Sequence, residues 1–302
     1  MRDVISLQNE LEKLGCTVLC DEPMRKHTSF RIGGNAKYVL IPQTEKALTD
    51  TVALLKEKAF PFVIIGNGSN VLFADDDYDG AVIQLADGLT GLYLEDENTI
   101  CCEAGVILAR LCNFALEHSL TGLEFAHGIP GSVGGAVFMN AGAYGGEIKD
   151  CILSVRHMTP SGEILETPAD ALQFSYRHTS FTENHHIVLS ARFRLQKGDE
   201  QAIRARMNEL IQKRKTSQPL EYPSAGSTFK RPAVGYAAAH IDECGLKGCT
   251  VGGASVSTKH AGFVINTGSA TAADVKALMK NIQDTVYEQH GVLLEPEVVM
   301  LP

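Results

Sequence analysis

The 302-residue chain has no apolar run long enough to cross a membrane: its longest, such as Pro61 to Gly66, are strand-sized. The opening Met1-Arg2-Asp3 leads at once into an amphipathic pattern and not into the apolar core of a secretion signal. The expectation is a cytoplasmic protein. Eight cysteines are present, yet Cys16, Cys20, Cys101, Cys102, Cys112, Cys151, Cys244 and Cys249 form no C-x-x-C pair. That spacing predicts unpaired thiols in a reducing compartment and no bound metal. An excess of basic residues is also missing. The formal charge of −9 argues against a nucleic-acid partner, because phosphate contacts need a basic face. One local run departs from this, with Arg204, Arg206, Lys213, Arg214 and Lys215 close together. A solvated helix face accounts for such a run as well as a binding site does.

Internal repeats and low-complexity linkers are absent too. What is present is 44% hydrophobic residues in a chain long enough for two or three domains. The pattern predicts a helix over Asp3 to Leu14, an extended segment ending at Pro42, a helix capped by Thr44, and a strand over Pro61 to Gly66. Short strands follow at Ala81 to Leu85, Leu92 to Glu95 and Thr99 to Glu103, then a helix over Val106 to His118. Further strands are expected at Ile152 to Met158 and Ile187 to Leu195, and a helix from Asp199 to Lys215 joins a last unit. That unit reads as a small-residue helix (Val234 to Cys244), strands at Val251 to Ser257 and Gly262 to Asn266, a helix opened by Thr271-x-x-Asp274, and a strand Val292 to Leu301. Short strands with inserted helices point to an α+β fold and not to a doubly wound parallel sheet.

Three glycine-rich stretches stand out. Gly66-Asn67-Gly68-Ser69-Asn70 follows a predicted strand, and successive backbone N–H groups in such a turn form a nest for an anion such as phosphate. The dinucleotide fingerprint G-x-G-x-x-G fails, because valine stands at position 71. A tight turn between two strands gives the same residues. From Gly128 to Glu147 the chain carries seven glycines and almost no group able to act as acid, base or nucleophile. It reads as backbone meant to lie against a long ligand with a diphosphate and a flat ring, with Ala136 to Met139 too short for an independent core helix. In "HTSFRIGG", Thr28, Ser29 and Arg31 could meet a phosphate or carboxylate, and the start of a plain strand explains them equally. The pair His185-His186 would point to opposite faces of a strand, so a shared metal there is not expected.

Six motifs in order, "HTSFRIGG", "GNGSN", "GLEFAHGIPGSVGGAVFMNAGAYGGE", "SYRHTSF", "SAGSTFKRP" and "LEPEV", span nearly the whole chain. Together they resemble the UDP-N-acetylenolpyruvoylglucosamine reductase (MurB) family. The resemblance implies an FAD-binding domain of the vanillyl-alcohol oxidase type followed by a smaller α+β substrate-binding domain. It divides the chain into FAD-binding subdomains at 1–75 and 76–200, a substrate-binding domain at 201–290, and a C-terminal strand at 291–302. Only eleven positions separate Pro232 from Cys244, so the chain resembles the short form of the family, without the tyrosine-bearing loop over the substrate.

The implied reaction uses non-covalent FAD and NADPH to reduce the enolpyruvyl double bond of a UDP-sugar, on the way to peptidoglycan. By resemblance, Arg31, Gly66, Asn67, Gly68, Ser69, Asn70, Gly128, Ile129, Pro130, Gly131, Ser132, Gly134, Gly135, Asn140 and Gly142 hold the cofactor. Ser227 matches the proton donor, a weak acid that suffices only for a strongly basic carbon. Arg177 matches the residue that steadies the developing enolate, and Glu297 the third catalytic position, with Glu295 the competing choice. Tyr176, Arg214 and Lys230 are candidates for the substrate's diphosphate and uridine, since two negative charges entering an acidic protein need local basic groups. His127, near the glycine loop, reads as a packing or hydrogen-bonding histidine. An FAD-linked oxidase or dehydrogenase of the same fold would explain the glycine loops but not Ser227, Arg177 and Glu297 in their motifs. A protein that only stores a flavin or nucleotide is the non-catalytic alternative.

Overall fold

The computed structural model describes residues 2–302, with side chains from Leu7 onward. It contains two compact units, each drawn from separate stretches. Among the described residues the first takes 2–20, 38–67 and 80–212, and the second takes 21–37, 68–79 and 213–302.

In the first unit, Thr44 accepts the Ala47 N–H at 3.0 Å and so caps helix Glu45–Glu57, as its sequence predicts. Leu48, Val52 and Leu55 of that helix are buried, on one face at helical spacing. Strand Phe62–Ile65 pairs in parallel with Tyr78–Gln84, within a four-stranded sheet that also holds Asn35–Pro42 and Cys16–Pro23. A five-stranded antiparallel sheet runs in the order Ile164–Pro168, Ile152–Met158, Ile187–Arg194, Thr99–Glu103, Leu92–Leu94. Helix Leu108–Glu117 buries Leu111 and Cys112 in the same core as Ile100, Val155 and Phe193. Side chains of this size contribute roughly 1.5–3 kcal/mol each on full burial.

Residues Val133–Phe138 do form a helix, one of six residues, and it lies in the core against strand Ile187–Arg194. The sequence reading held Ala136 to Met139 too short for an independent core helix. The reason is the packing distance: a Cβ on Gly134 would stand 2.9 Å from the Ala104 Cβ and 3.2 Å from its carbonyl oxygen. Glycine here lets a short helix approach a strand end, and the Gly134 N–H donates to the Ala104 carbonyl at 2.8 Å.

In the second unit, a three-stranded antiparallel sheet (Thr250–Val251, Ala254–Val256, Val264–Asn266) is covered by helix Ala272–His290. The predicted capping box is present: Thr271 Oγ1 accepts the Asp274 N–H at 3.0 Å, and Asp274 accepts the Thr271 N–H at 3.1 Å. The Asp75 carboxylate adds two more bonds at this N-terminus, from the N–H groups of Ala272 (2.6 Å) and Ala273 (2.9 Å). Helix Ala237–Glu243 packs beside the long helix. The predicted strand Val251–Ser257 is instead a hairpin broken at Gly252-Gly253. The last strand is only Val299–Leu301, paired in parallel with Val71–Phe73. Glu297 therefore precedes the strand in which the sequence reading placed it. No described helix is long and apolar enough to cross a membrane. All eight cysteines are free thiols, and burial pushes Cys16, Cys102 and Cys112 up and Cys151 up to about 12.

Candidate active site

In the first unit, Gly66 and Asn67 leave the end of strand Phe62–Ile65 and meet the second glycine stretch. Asn67 Nδ2 donates to the Pro130 carbonyl at 2.7 Å, and a Cβ on Gly66 would lie 2.3 Å from Ser132 Oγ. The loop from Gly128 to Ser132 is held from behind by the Ile129 N–H to the Ala126 carbonyl (2.9 Å) and the Leu108 N–H to the Gly131 carbonyl (3.0 Å). Two buried polar atoms here have no hydrogen-bond partner, Ser132 Oγ and His127 Nδ1. Such groups are costly unless a ligand answers them. Burial also lowers the pKa of His127, which favours its neutral ring. A buried hydroxyl left without a protein partner, Ser132 Oγ, packed against the glycine backbone of Gly66 and Gly135, fits a diphosphate-bearing cofactor such as FAD. Gly134 is explained by packing alone, as is Gly146, whose Cβ would meet the Phe125 ring at 2.6 Å.

Arg177 belongs to the same unit. Ser175 and His178 bridge each other, with the Ser175 N–H donating to the His178 carbonyl at 3.0 Å, so Tyr176 and Arg177 form the tip of a tight turn. Arg177 is held at φ 55°, a left-handed conformation that costs a non-glycine residue roughly 1–2 kcal/mol. Its Nη2 donates to the Gly142 carbonyl at 3.1 Å, and its guanidinium lies 5.1 Å from the centroid of the Tyr176 ring. Asn140, fully buried and also left-handed at φ 45°, anchors this turn. Its Nδ2 donates to Glu147 Oε2 (2.9 Å) and to the Ser175 carbonyl (3.0 Å), while its Oδ1 accepts the Lys149 N–H (3.0 Å). Both amide hydrogens are thus engaged within the protein. Glu147 is held below the usual carboxylate range chiefly by Lys149, with Arg177 adding to the effect. Neither Glu147 nor Lys149 carries a local sequence signal for this role.

In the second unit, Gly68, Ser69 and Asn70 interlock with "HTSFRIGG". Gly68 is left-handed at φ 63°, and a Cβ there would lie 1.9 Å from the His27 carbonyl oxygen, so only glycine fits. Ser29 Oγ donates to the Ser224 carbonyl at 2.7 Å, tying this loop to the start of "SAGSTFKRP". Arg31 is exposed, again left-handed at φ 55°. Ser227 is exposed in the turn after Gly226, and the next residues pair antiparallel with "LEPEV". The Glu297 N–H donates to the Thr228 carbonyl at 2.9 Å, and the Lys230 N–H to the Glu295 carbonyl at 2.8 Å. Asn70 Nδ2 donates to the Glu297 carbonyl at 3.0 Å. Ser227, Glu297 and Asn70 are therefore brought together from three distant stretches. Glu295, the competing choice, is instead 76% exposed and paired with Lys230 at 3.5 Å. Arg214 is partly buried on helix Glu200–Ser217, while Arg204 and Arg206 pair with Glu200 and Glu209 on exposed helix faces. Lys259 Nζ donates to the Lys215 carbonyl at 2.7 Å.

Residues 36–168 match an FAD binding domain, and residues 218–301 match the C-terminal domain of UDP-N-acetylenolpyruvoylglucosamine reductase. The enzyme of that name from Agathobacter rectalis is 48% identical, with 99% of this chain and 98% of the relative covered. Its counterpart from Clostridioides difficile is 46% identical over 98% of this chain and 97% of the relative. The crystal structure of the Thermus caldophilus reductase is similar with a TM-score of 0.79 at 32% identity, covering 95% of this chain and 99% of that one. The chain belongs to the UDP-N-acetylenolpyruvoylglucosamine reductase family.

Proposed function

We infer that the chain catalyses the reaction for which its family is named, the NADPH-dependent reduction of UDP-N-acetyl-3-O-(1-carboxyvinyl)-glucosamine to UDP-N-acetylmuramate for peptidoglycan precursors. It is a flavoprotein oxidoreductase with FAD as cofactor and NADPH as reductant. The substrate gains one hydride and one proton, and NADPH leaves as NADP+. FAD, held by the glycine loops, would supply the hydride-carrying chemistry that links NADPH to the terminal methylene carbon of the enolpyruvyl group.

This chain's own residues handle binding, charge and the proton. Gly66, Asn67 and the Gly128 to Gly135 loop hold the cofactor, with Ser132 Oγ and His127 Nδ1 as the hydrogen-bonding groups that it satisfies. Arg31, Gly68, Ser69, Asn70, Ile129 and Pro130 serve the same cofactor. Hydride arrival makes the neighbouring carbon and its carboxylate electron-rich. Arg177 stabilises that charge with a planar fork suited to a carboxylate. Ser227 Oγ–H gives its proton to the carbon, which a hydroxyl can do only when held in place against a strongly basic atom. Glu297 restores or shares that proton. Tyr176, Arg214 and Lys230 bind the uridine diphosphate. Asn140 and Gly142 serve the cofactor as well, and also position the Arg177 turn. In domain terms, 1–75 and 76–200 carry the FAD site, 201–290 the substrate site, and 291–302 Glu297. The short-form chain works in the cytoplasm without a tyrosine loop over its substrate.

The observation that most supports these roles is the antiparallel pairing of residues 228–230 with 295–297. It sets the Ser227 loop beside Glu297 and, through Asn70, beside the "GNGSN" loop. The test is product analysis: with NADPH and the enolpyruvyl UDP-sugar, reduced nicotinamide should disappear in step with a product heavier by two hydrogens. NADPH consumption that yields only peroxide, with the sugar unchanged, would refute the reading.

A further inference from the structure

Outside the residues given roles above, the second unit gathers a set of side chains with ligand chemistry. His240 and Glu243 stand three residues apart on helix Ala237–Glu243 and so share a face. His290 is the last residue of helix Ala272–His290, before the left-handed Gly291 cap. One ligand atom from each of the three lies within 4.8 Å of the others. His240 Nδ1 and His290 Nδ1 are 3.2 Å apart, and His290 Nδ1 is 3.7 Å from Glu243 Oε2. Two nitrogens bound to one tetrahedral zinc ion at its usual bond lengths stand about 3.3 Å apart. The imidazole spacing already matches.

The tautomer matches as well. His240 Nε2 lies 2.9 Å from the Val234 carbonyl, which can only accept. That ring nitrogen therefore carries the hydrogen, and Nδ1 presents its lone pair to the cluster. A backbone carbonyl fixing the far nitrogen of an imidazole is the usual outer support of a metal-ligating histidine. Gly235, left-handed at φ 72°, is what lets the Val234 segment close on the ring, since a Cβ there would lie 2.9 Å from His240 Nε2.

We propose that His240, Glu243 and His290 form a binding site for one divalent transition-metal ion, zinc in particular. His240 Nδ1, His290 Nδ1 and a Glu243 carboxylate oxygen are the ligands, and water fills the fourth position. Two imidazoles and one carboxylate suit zinc and its neighbours, whereas magnesium and calcium prefer oxygen sets. Without metal, a proton on His290 Nδ1 shared with His240 Nδ1 holds the pair, and the metal replaces that proton. The ion would clip the ends of two helices just before the segment that leads to Glu297.

The test uses full-length, untagged protein treated with chelator and then titrated with cobalt(II), whose visible bands are intense in tetrahedral sites. One equivalent should give those bands without a near-ultraviolet thiolate band, zinc should bleach them, and zinc should raise the melting temperature. His290→Gln and His240→Gln should abolish both signals. Glu243→Gln, at a side chain 63% exposed and so safe for folding, should weaken cobalt binding roughly tenfold or more. No tetrahedral band and no zinc-dependent melting shift in the wild type would overturn the proposal. So would bands that persist unchanged in Glu243→Gln and either folded histidine variant, or a thiolate band showing that cysteines bind the ion.

Discussion

Replacing Asn140 by alanine removes the side chain that joins the glycine-rich loop to the Arg177 turn. Three hydrogen bonds go with it, at 2.9 Å to Glu147, 3.0 Å to the Ser175 carbonyl and 3.0 Å from the Lys149 N–H. A bond to a charged group is worth about 1.5–3 kcal/mol and a neutral one about 1 kcal/mol. Alanine at φ 45° adds about 1 kcal/mol, because asparagine tolerates the left-handed region better. Partial relaxation of the exposed side of Glu147 trims the total to about 4 kcal/mol, or on the order of 10 °C in melting temperature for a unit of this size. Thermal unfolding followed by circular dichroism reads that number. In the fraction that stays folded, flavin reduction by NADPH should persist, while reoxidation by the enolpyruvyl sugar should slow, because the Arg177 turn is no longer fixed. Asn140→Asp keeps the shape but turns an oxygen toward Glu147, and should do no better at neutral pH. A loss below about 1 kcal/mol, or normal substrate reoxidation in a folded variant, would refute the anchoring argument.

Ser132→Ala separates cofactor binding from folding. Ser132 Oγ has no protein partner, so the apoprotein should melt within about 0.5 kcal/mol of wild type while FAD affinity falls by roughly five- to thirtyfold; equal loss in both would contradict the assignment. Gly134→Ala should instead destabilise the apoprotein by roughly 1–3 kcal/mol, because its Cβ meets Ala104 at 2.9 Å, and unchanged melting would show that the helix can shift. His157 is pushed down to about 4, first by burial and then by His186. Its folded pKa lies below the unfolded value of about 6.5, so the stability it contributes is complete above that value and is lost as pH falls from about 6.5 toward 4. The loss should be on the order of 3 kcal/mol, from a pKa difference of about 2.5 at about 1.4 kcal/mol per pH unit, and His157→Gln, melted from neutral pH down to acid, should show a visibly flatter decline.

Features set by neighbours in sequence were legible in advance. Thr44 and the Thr271-x-x-Asp274 box are bonds within one helical turn, and both form. Strands Thr99–Glu103 and Ile152–Met158 have the predicted limits because apolar residues dominate them. What periodicity could not carry is partnership across the chain. Residues 292–298 look strand-like, yet the Lys230 and Glu297 N–H groups go to carbonyls on single bridges and not into a sheet. Glycines in the long stretch looked like room for a ligand, whereas Gly134 and Gly146 make room for Ala104 and Phe125. The left-handed backbone at Arg31 and Arg177 is likewise announced by no residue pattern. Asn140 lay inside a recognisable motif, but its partners Glu147 and Ser175 are known only once the chain is folded.

The most direct test of the account is an anaerobic double-mixing stopped-flow record of flavin absorbance in wild type and Ser227→Ala. NADPH should bleach both proteins at the same rate. The enolpyruvyl UDP-sugar should then restore the yellow band quickly in the wild type and about a hundred- to ten-thousandfold more slowly in the variant. Slowed bleaching by NADPH with normal recovery would contradict the assignment of Ser227 as the proton donor, and a wild type that bleaches but never recovers would contradict the reductase itself.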